Sequence, residues 1–394
     1  MIYLDANSTS RIRPAALEPA AIFFGNPSSV HAAGRQARAS LTSAEKSICS
    51  FLDLPKGSEI VFTSGGTESC NSLVLGFVAQ EQRALISPLE HPAITEPLSK
   101  IDSKIELMPL NSEGRVDVQG TSELDLSDIQ LVCLMLASNE SGAVQPVAEL
   151  SLKLREKGYT GAIVSDASQV PGKQDFSAAK LFEAGVSAIA VSAHKHGGPV
   201  GVGGLLIAPC ESDSCLLFKP LISGGPQQNR YRAGTENLPA IVAWGKVCEE
   251  LKVSSAAERE RVSELRDSLW SNLTKSISGL NRLTPSTGPV LSNTLQILVE
   301  DCRADDLVVG LDLEGVCIST GSACASGKQE VSRVATELGH SAEQASSVVR
   351  LSLDWDSTPE QLTRVVEKFS TVVSRMREVE SHSDSNREAK GVGL

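Results

Sequence analysis

No run of apolar residues in the 394-residue chain approaches the ~20 needed to span a bilayer, and the opening MIYLDANSTS carries a charge at Asp5 and no apolar stretch. Neither a membrane span or anchor nor a secretory leader is therefore expected. Lys and Arg nowhere gather into a stripe, and the formal net charge is -12. Neutralising nucleic-acid phosphates needs clustered cations, so nucleic acid is not expected as a direct partner. The nine cysteines (49, 70, 133, 210, 215, 248, 302, 317 and 324) are odd in number and scattered, and no two form a Cys-x-x-Cys pair. That pattern speaks against a disulfide framework and for a reducing compartment, so the expected location is the cytoplasm. There is no internal repeat, no low-complexity tract and no expectation of a metal.

What is present is an ordinary globular composition, 41% hydrophobic and 21% charged, on a chain long enough for two domains. Short apolar runs that end in polar or glycine-rich residues read as parallel strands buried on both faces: EIVFT (59–63), RALIS (83–87), IQLVCLMLA (129–137), GAIVSD (161–166), VSAIAVSA (186–193) and VGGLLIAP (202–209). Helix-compatible stretches between them predict a doubly wound α/β sheet. From about 240 to 278 a long amphipathic helix is predicted, followed by strand and helix patterns of a smaller α+β unit. The expected division is a large α/β domain at 15–250, a small α+β domain made of 1–14 and 251–380, and a disordered polar tail at 381–394.

Three constellations at successive strand ends carry chemistry. TSGGTES (63–69) follows an apolar strand and opens a helix, so its backbone N–H groups and the Thr67 hydroxyl can bind a phosphate. Taken alone it is equally an ordinary strand-to-helix turn. In SDASQVPG (165–172), Asp166 ends a buried strand, the sheet edge at which ligands of α/β folds bind. On its own it reads as a helix cap, and Gln169 faces the same side if a helix starts here. In VSAHKHGGPVGVGG (191–204), Lys195 stands between two histidines ahead of five glycines, which suits a lysine that forms a Schiff base. Together the three supply a phosphate cradle, an acid for a pyridinium nitrogen and an imine-forming amine.

In order along the chain, YLDANSTS, FGNPSSVHAAGR, TSGGTESCN, SPLEHPAI, SNESGAVQP, SDASQVPGK, SAHKHGGPVGVG, RAGTENLPAIVA and STGSACASG resemble the cysteine desulfurase family of the class V aminotransferase fold. The resemblance runs from about residue 3 to 355, and the Ser-Gly-Ser-Ala-Cys type of loop is similar to that of group I. It implies a fold-type-I transferase dependent on pyridoxal 5'-phosphate (PLP). In it Lys195 carries the cofactor, Asp166 pairs with the ring nitrogen, Gln169 bonds the phenolic oxygen and His91 stacks on the ring and shuttles protons. Gly66, Thr67, Ser192 and His194 hold the phosphate, and Thr235 reaches in from a second subunit of a homodimer. Asn139 and Arg350 bind the carboxylate of L-cysteine, and Cys324 takes its sulfur as a persulfide while alanine leaves. That sulfur is then passed to an acceptor protein for iron–sulfur cluster assembly or thiolation.

From their own neighbourhoods, His91 before a proline is also a turn residue and Arg350 also a surface cation. Cys133 and Cys317, in apolar runs, read as small buried hydrophobes, whereas the polar, small neighbours of Cys324 set it apart. Two stretches depart from the family: 13–25 is short, and Pro226, Gln228 and Asn229 replace a glycine and a more typical acidic and small pair. Selenocysteine lyase, a small-amino-acid aminotransferase and a non-catalytic interaction platform of the same fold are the competing expectations.

Overall fold

The computed structural model describes residues 1–17, 25–209, 218–320 and 331–391, with side chains to 379. Cys324, and residues 18–24 of the segment expected to be short, lie outside the described residues. The chain divides into a smaller unit (Met1–Ser8, Asn139–Ala143, Glu258–Leu394) and a larger one (Thr9–Ser138, Val144–Ala257).

The first strand, β1 (Ile2–Tyr3), belongs to the smaller unit. The larger unit then runs α1 (Ala32–Phe51), β2 (Glu59–Thr63), α2 (Gly66–Phe77), β3 (Arg83–Ile86), α3 (Pro92–Lys100), β4 (Lys104–Leu107), α4 (Val118–Ser122), β5 (Ile129–Cys133), α5 (Val147–Glu156), β6 (Ala162–Asp166), α6 (Ala178–Glu183), β7 (Ala188–Ser192) and β8 (Gly203–Ile207). Its seven strands lie in the order β2-β8-β7-β6-β5-β3-β4. From β4 to β7 all neighbours are parallel. Only β8 runs against both β7 and β2. Leu73 and Val74 of α2 pack with Ile86, Leu131, Val164 and Ala188 of the central strands. Covering by helices is why those strands carry apolar residues at successive positions rather than at alternate ones.

The sheet has one strand more than the sequence predicts. β4 reads Lys-Ile-Glu-Leu and is largely exposed, because an edge strand has neither a second neighbour nor full cover. The run 129–137 predicts a single long strand, but the regular ladder stops at Cys133 and Leu134–Ala137 is an irregular continuation. There the Leu134 and Leu136 N–H groups still donate to the Val164 and Asp166 carbonyls at 3.2 and 2.8 Å.

β2 is the opposite edge, and a loop closes it. Gln228, Asn229 and Arg230 all have positive φ (46, 54 and 68°), a backbone region that costs a non-glycine residue roughly 1–2 kcal/mol. The strain is offset by side chains. The Gln228 Oε1 accepts from the Phe62 N–H at 2.5 Å, its Nε2 donates to the Phe62 carbonyl at 2.8 Å, and Asn229 Nδ2 donates to Glu59 at 3.1 Å. Two of the three residues noted there as departures from the family, Gln228 and Asn229, are thus the ones that fasten this loop.

α7 (Leu238–Ser276) leads from the larger unit into the smaller. The smaller unit continues with β9 (Leu280–Arg282), β10 (Thr294–Val299), α8 (Ala304–Leu313), β11 (Val316–Cys317), β12 (Ser319–Thr320), α9 (Arg333–Glu337), α10 (Ala342–Ala345), β13 (Val348–Ser352) and α11 (Pro359–Gly391). An antiparallel sheet β12-β13-β10-β9 stands beside the parallel pair β1-β11. Ile297, Val349, Leu307 and Phe369 share its core.

Compared with the expected division, residues 9–14 join the larger unit: the Ser10 and Arg13 N–H groups donate to the His194 and Gly197 carbonyls at 3.0 and 2.9 Å. Asn139–Ala143 joins the smaller unit, where the Leu291 N–H donates to the Gly142 carbonyl at 2.8 Å. Of the tail expected to be disordered, 381–394, the described residues are 381–391. α11 continues to Gly391, with neither proline nor glycine to interrupt it between Pro359 and Gly391. Cys133 is buried as expected, but Cys317, in a strand of two residues, is only half-buried.

Candidate active site

The larger unit brings Gly66, Thr67, His91, Asp166, Gln169, Ser192, His194 and Lys195 to the ends of its strands or the first turns beyond them. β2 ends at Thr63, whose hydroxyl lies 2.7 Å from that of Ser69, and α2 begins two residues after the exposed Ser64. The Ser64 N–H donates to Glu68 Oε2 at 2.7 Å, so the turn into α2 is held at its own first residues. Close approach of β8 to this turn requires Gly203, because a Cβ there would lie 2.7 Å from the carbonyl carbon of Gly65.

Gly66, Ser168 and Ser192 converge on one small space. A Cβ on Gly66 would come within 3.1 Å of Ser192 Cβ and 3.3 Å of the Ser168 and Ser192 hydroxyls. The Ser192 hydroxyl is buried and has no hydrogen-bond partner among the described residues. An unsatisfied buried hydroxyl is costly unless a ligand completes it. Beside the open N–H groups of a twelve-residue helix, this donor set fits a phosphate.

Asp166 ends β6, half-buried, and its Oδ1 accepts the Ser168 N–H at 2.9 Å. It therefore does cap its own turn, and its second oxygen is not engaged by that bond. Gln169 is buried two positions after Ala167, and its Oε1 accepts from Lys173 Nζ at 2.9 Å. His91 is the N-cap of α3: its Nδ1 accepts the Ala93 N–H at 3.0 Å, with Pro92 in the first turn. A ring nitrogen that accepts carries no proton, so the neutral ring bears its hydrogen on Nε2. The turn-residue reading of His91 and the functional one are thus compatible.

Lys195 lies half-buried in a short 3-10 turn, Ala193–His196, directly after β7. Both flanking imidazoles are held neutral. Burial, with the charges of Lys195 and Lys173, pulls His194 down to about 4. Burial, followed by Lys173, Arg13 and His194, pulls His196 down to about 3. Thr9 Oγ1 is 3.2 Å from His194 Nδ1, and Trp244 Nε1 donates to His196 Nε2 at 2.8 Å. The indole hydrogen bond fixes the neutral tautomer of His196, with its hydrogen on Nδ1.

These two rings predict a pH window. Both folded values lie below the ~6.5 of an exposed imidazole, so between about 6.5 and 4 the unfolded chain binds protons that the folded chain refuses. Stability is then fully present above pH 6.5 and falls as the pH drops, for the fully buried His196 by up to about 1.4 kcal/mol per pH unit. Urea unfolding midpoints at pH 7.5 and 5.0 are expected to differ in that direction, and a His196→Gln variant is expected to narrow the difference. Equal midpoints at the two pH values would contradict the assignment.

The proposed carboxylate-binding pair belongs to the smaller unit. Arg350, in β13, is 2% exposed and spends its guanidinium on the unit itself. Nη1 donates to the Asn139 carbonyl at 3.0 Å, and Nη2 to Asp5 Oδ1 at 2.7 Å and Ser8 Oγ at 2.9 Å. Its buried Nε has no partner among the described residues. Arg350 is thus a core cation rather than a surface one. Thr235 is exposed in the larger unit, beyond Arg232, which pairs with Glu68 at 2.9 Å. Burial raises Glu68, but the bonds from Arg232 and Ser64 outweigh it and the carboxyl ends below its usual range.

Sequence reasoning did not identify Lys173, Ser168 or the Glu68–Arg232 pair. Lys173 has a local signal, four residues after Gln169 within SDASQVPGK, whereas Glu68 and Arg232 are 164 residues apart and meet only through the fold. Among the described residues no helix is long and apolar enough to cross a membrane, and no His, Cys, Asp and Glu group could hold a metal ion.

The model of the class-V aminotransferase family matches residues 2–365. A cysteine desulfurase IscS of Dictyoglomus turgidum is 34% identical over 389 residues, covering 96% of each chain. Among solved structures, a NifS-like protein from Rickettsia africae aligns over 95% of this chain and 99% of that one, with a TM-score of 0.84 and 28% identity. A structure of SspA in complex with cysteine aligns over 91% of this chain and 100% of that one, with a TM-score of 0.74 and 25% identity.

Proposed function

The chain belongs to the class-V aminotransferase family and, within it, to the cysteine desulfurases, and from that premise we propose how its own residues divide the work. The family depends on PLP, and the observation that carries the reading is the meeting, at adjacent strand ends of one unit, of the phosphate-fitting space, Asp166 and Lys195. Bound there, PLP supplies an electron-accepting ring conjugated to the α-carbon of the substrate. The α2 N–H groups, Thr67, Ser192 and neutral His194 hold the phosphate. Asp166 keeps the ring nitrogen protonated, and Gln169 donates to the phenolic oxygen. His91 lies against the ring with its Nε2 hydrogen available for exchange.

Lys195 would hold the cofactor through its side-chain amine, and that amine, when free, would take the α-proton of L-cysteine. Arg350 and Asn139 bind the substrate carboxylate, the buried Nε of Arg350 being the donor that the protein leaves for it. Cys324, as a thiolate, would attack the substrate sulfur: the S–S bond forms, the Cβ–S bond breaks, and the carbon fragment takes up one proton at Cβ, regains at Cα the one held by Lys195, and leaves as alanine. The persulfide then passes to an acceptor protein in iron–sulfur cluster assembly or thiolation. Two copies of the chain form the working unit, each lending its exposed Thr235 to the phosphate of the other, in the cytoplasm.

The test is direct. Purified protein loaded with PLP is expected to show a visible absorption band, to release alanine from L-cysteine, and to carry a reducible persulfide in stoichiometric amount. Alanine from selenocysteine alone would move the assignment to a selenocysteine lyase. Alanine from neither would overturn it.

A further inference from the structure

The turn that opens α2 is fastened to a distant loop of the same unit through one side chain. Glu68 Oε2 accepts the Ser64 N–H at 2.7 Å, and both carboxylate oxygens take Arg232, Nε to Oε1 at 2.9 Å and Nη2 to Oε2 at 3.3 Å. A two-point pairing of guanidinium with carboxylate fixes orientation as well as distance. The Glu68 side chain is 9% exposed and that of Arg232 22%, so solvent and salt screen the pair weakly.

Arg232 stands three residues before Thr235, and Asn237 two residues after it. Asn237 Nδ2 donates to the carbonyl of Gly201 at 3.3 Å, and Gly201 lies in the glycine-rich run that follows Lys195. Between these anchors the Gly234 N–H donates to Gln227 Oε1 at 3.0 Å, and Gly234 takes a φ of 100°. Thr235 is left exposed. The loop that presents Thr235 outward is therefore tied, on either side of that residue, to the two cofactor motifs of its own chain.

We propose that Glu68 and Arg232 are positioning residues that couple the two cofactor sites of a dimer, so that filling one site raises the affinity of the other. This rests on the reading above in which Thr235 serves the phosphate of the second subunit. A phosphate on the N–H groups at the start of α2 immobilises the turn from Ser64 to Thr67, and with it the carboxylate on which Arg232 rests. The Thr235 loop is then ordered before the neighbour's phosphate arrives, so the neighbour's site loses less freedom on binding. Linkage makes the effect reciprocal: a phosphate that engages Thr235 holds Arg232 on Glu68, and so steadies the α2 turn of the chain that lends the threonine.

The probe is pyridoxamine 5'-phosphate, which has the ring and the phosphate but no aldehyde to react with Lys195, so its binding to cofactor-free protein reaches equilibrium. Titrated into protein that sedimentation shows to be dimeric, it is expected to bind with a Hill coefficient of about 1.4 or more, the second molecule about fivefold or more tighter than the first. Arg232→Met and Glu68→Gln are each expected to lower the coefficient to about 1 in dimers that stay intact. Arg232→Lys keeps the charge and is expected to keep a coefficient above that of Arg232→Met. Thr235→Val, with the ion pair in place, is expected to abolish cooperativity and weaken binding. A coefficient of about 1 in the unaltered dimer, or cooperativity retained in both Arg232→Met and Glu68→Gln, would overturn the proposal and leave the PLP site standing. A monomer that binds the probe fully, or a Thr235→Val protein that binds it unchanged, would overturn the reading of Thr235 and this proposal with it.

Discussion

A Lys195→Ala variant is expected to lose alanine release by about 10⁴-fold or more and to lose the visible band of covalently held PLP. The size follows from two losses at once. On the proposed reading the side chain is both the attachment point of the cofactor and the base for the α-proton, and neither flanking histidine can replace it. His194 and His196 flank it but are pulled down to about 4 and about 3, so neither ring holds a proton readily at neutral pH. A base with so low a proton affinity is a poor one for an α-proton. Lys195→Arg keeps the charge but not the nucleophile, and the same loss is expected. Absorbance and alanine release read the two functions separately, and a small primary amine added to the alanine variant should restore part of the second. A Lys195→Ala protein that keeps both the band and turnover would remove Lys195 from the chemistry.

Cys324→Ala is expected to give the opposite pattern: the visible band stays, its shift on adding L-cysteine stays, and the persulfide and alanine disappear, with turnover down by about 10³-fold or more. The residues that border its segment are well anchored. Ser319 and Thr320 pair with Arg350 and Val349 of β13. On the far side Ser332 caps α9, and its hydroxyl donates to Glu140 Oε2 at 2.7 Å, the same oxygen that accepts from Gln296 at 3.2 Å. Burial raises Glu140, against the pull of Ser332, Arg350 and Gln296. The bordering residues are therefore tied to the strand that holds Arg350 and to the segment that holds Asn139, the residues assigned to the substrate carboxylate. Full desulfurase activity in Cys324→Ala would exclude it as the sulfur acceptor.

The comparison of these two residues shows what a sequence can state about such a site. Asp166, Lys195 and the α2 turn lie in contiguous motifs directly after strands that read as apolar runs, and burial on both faces makes those strands legible. β4 was not legible, because Lys104 and Glu106 interrupt the apolar pattern of an exposed edge strand. The stopping point of β5 was not legible either, since Leu134–Ala137 is as apolar as the strand but bonds irregularly. For side chains the limit is sequence separation. Arg350 reads as any cation in a strand, and only the fold shows it 2% exposed against Asp5, Ser8 and Asn139. His91 was legible as a turn residue and as a functional one, and the cap geometry shows that the two do not compete.

The amide of Gln228 has a consequence for how the protein behaves in company. An outer strand with free N–H and C=O groups is a template on which a foreign strand can grow, and sheet proteins avoid aggregation by blocking it. At Phe62, near the end of β2, both backbone groups are taken up by one side chain, so an incoming strand would have to break two hydrogen bonds to pair there. A residue that looks like a mere departure from the family pattern acts as a stopper on the growing end of the sheet.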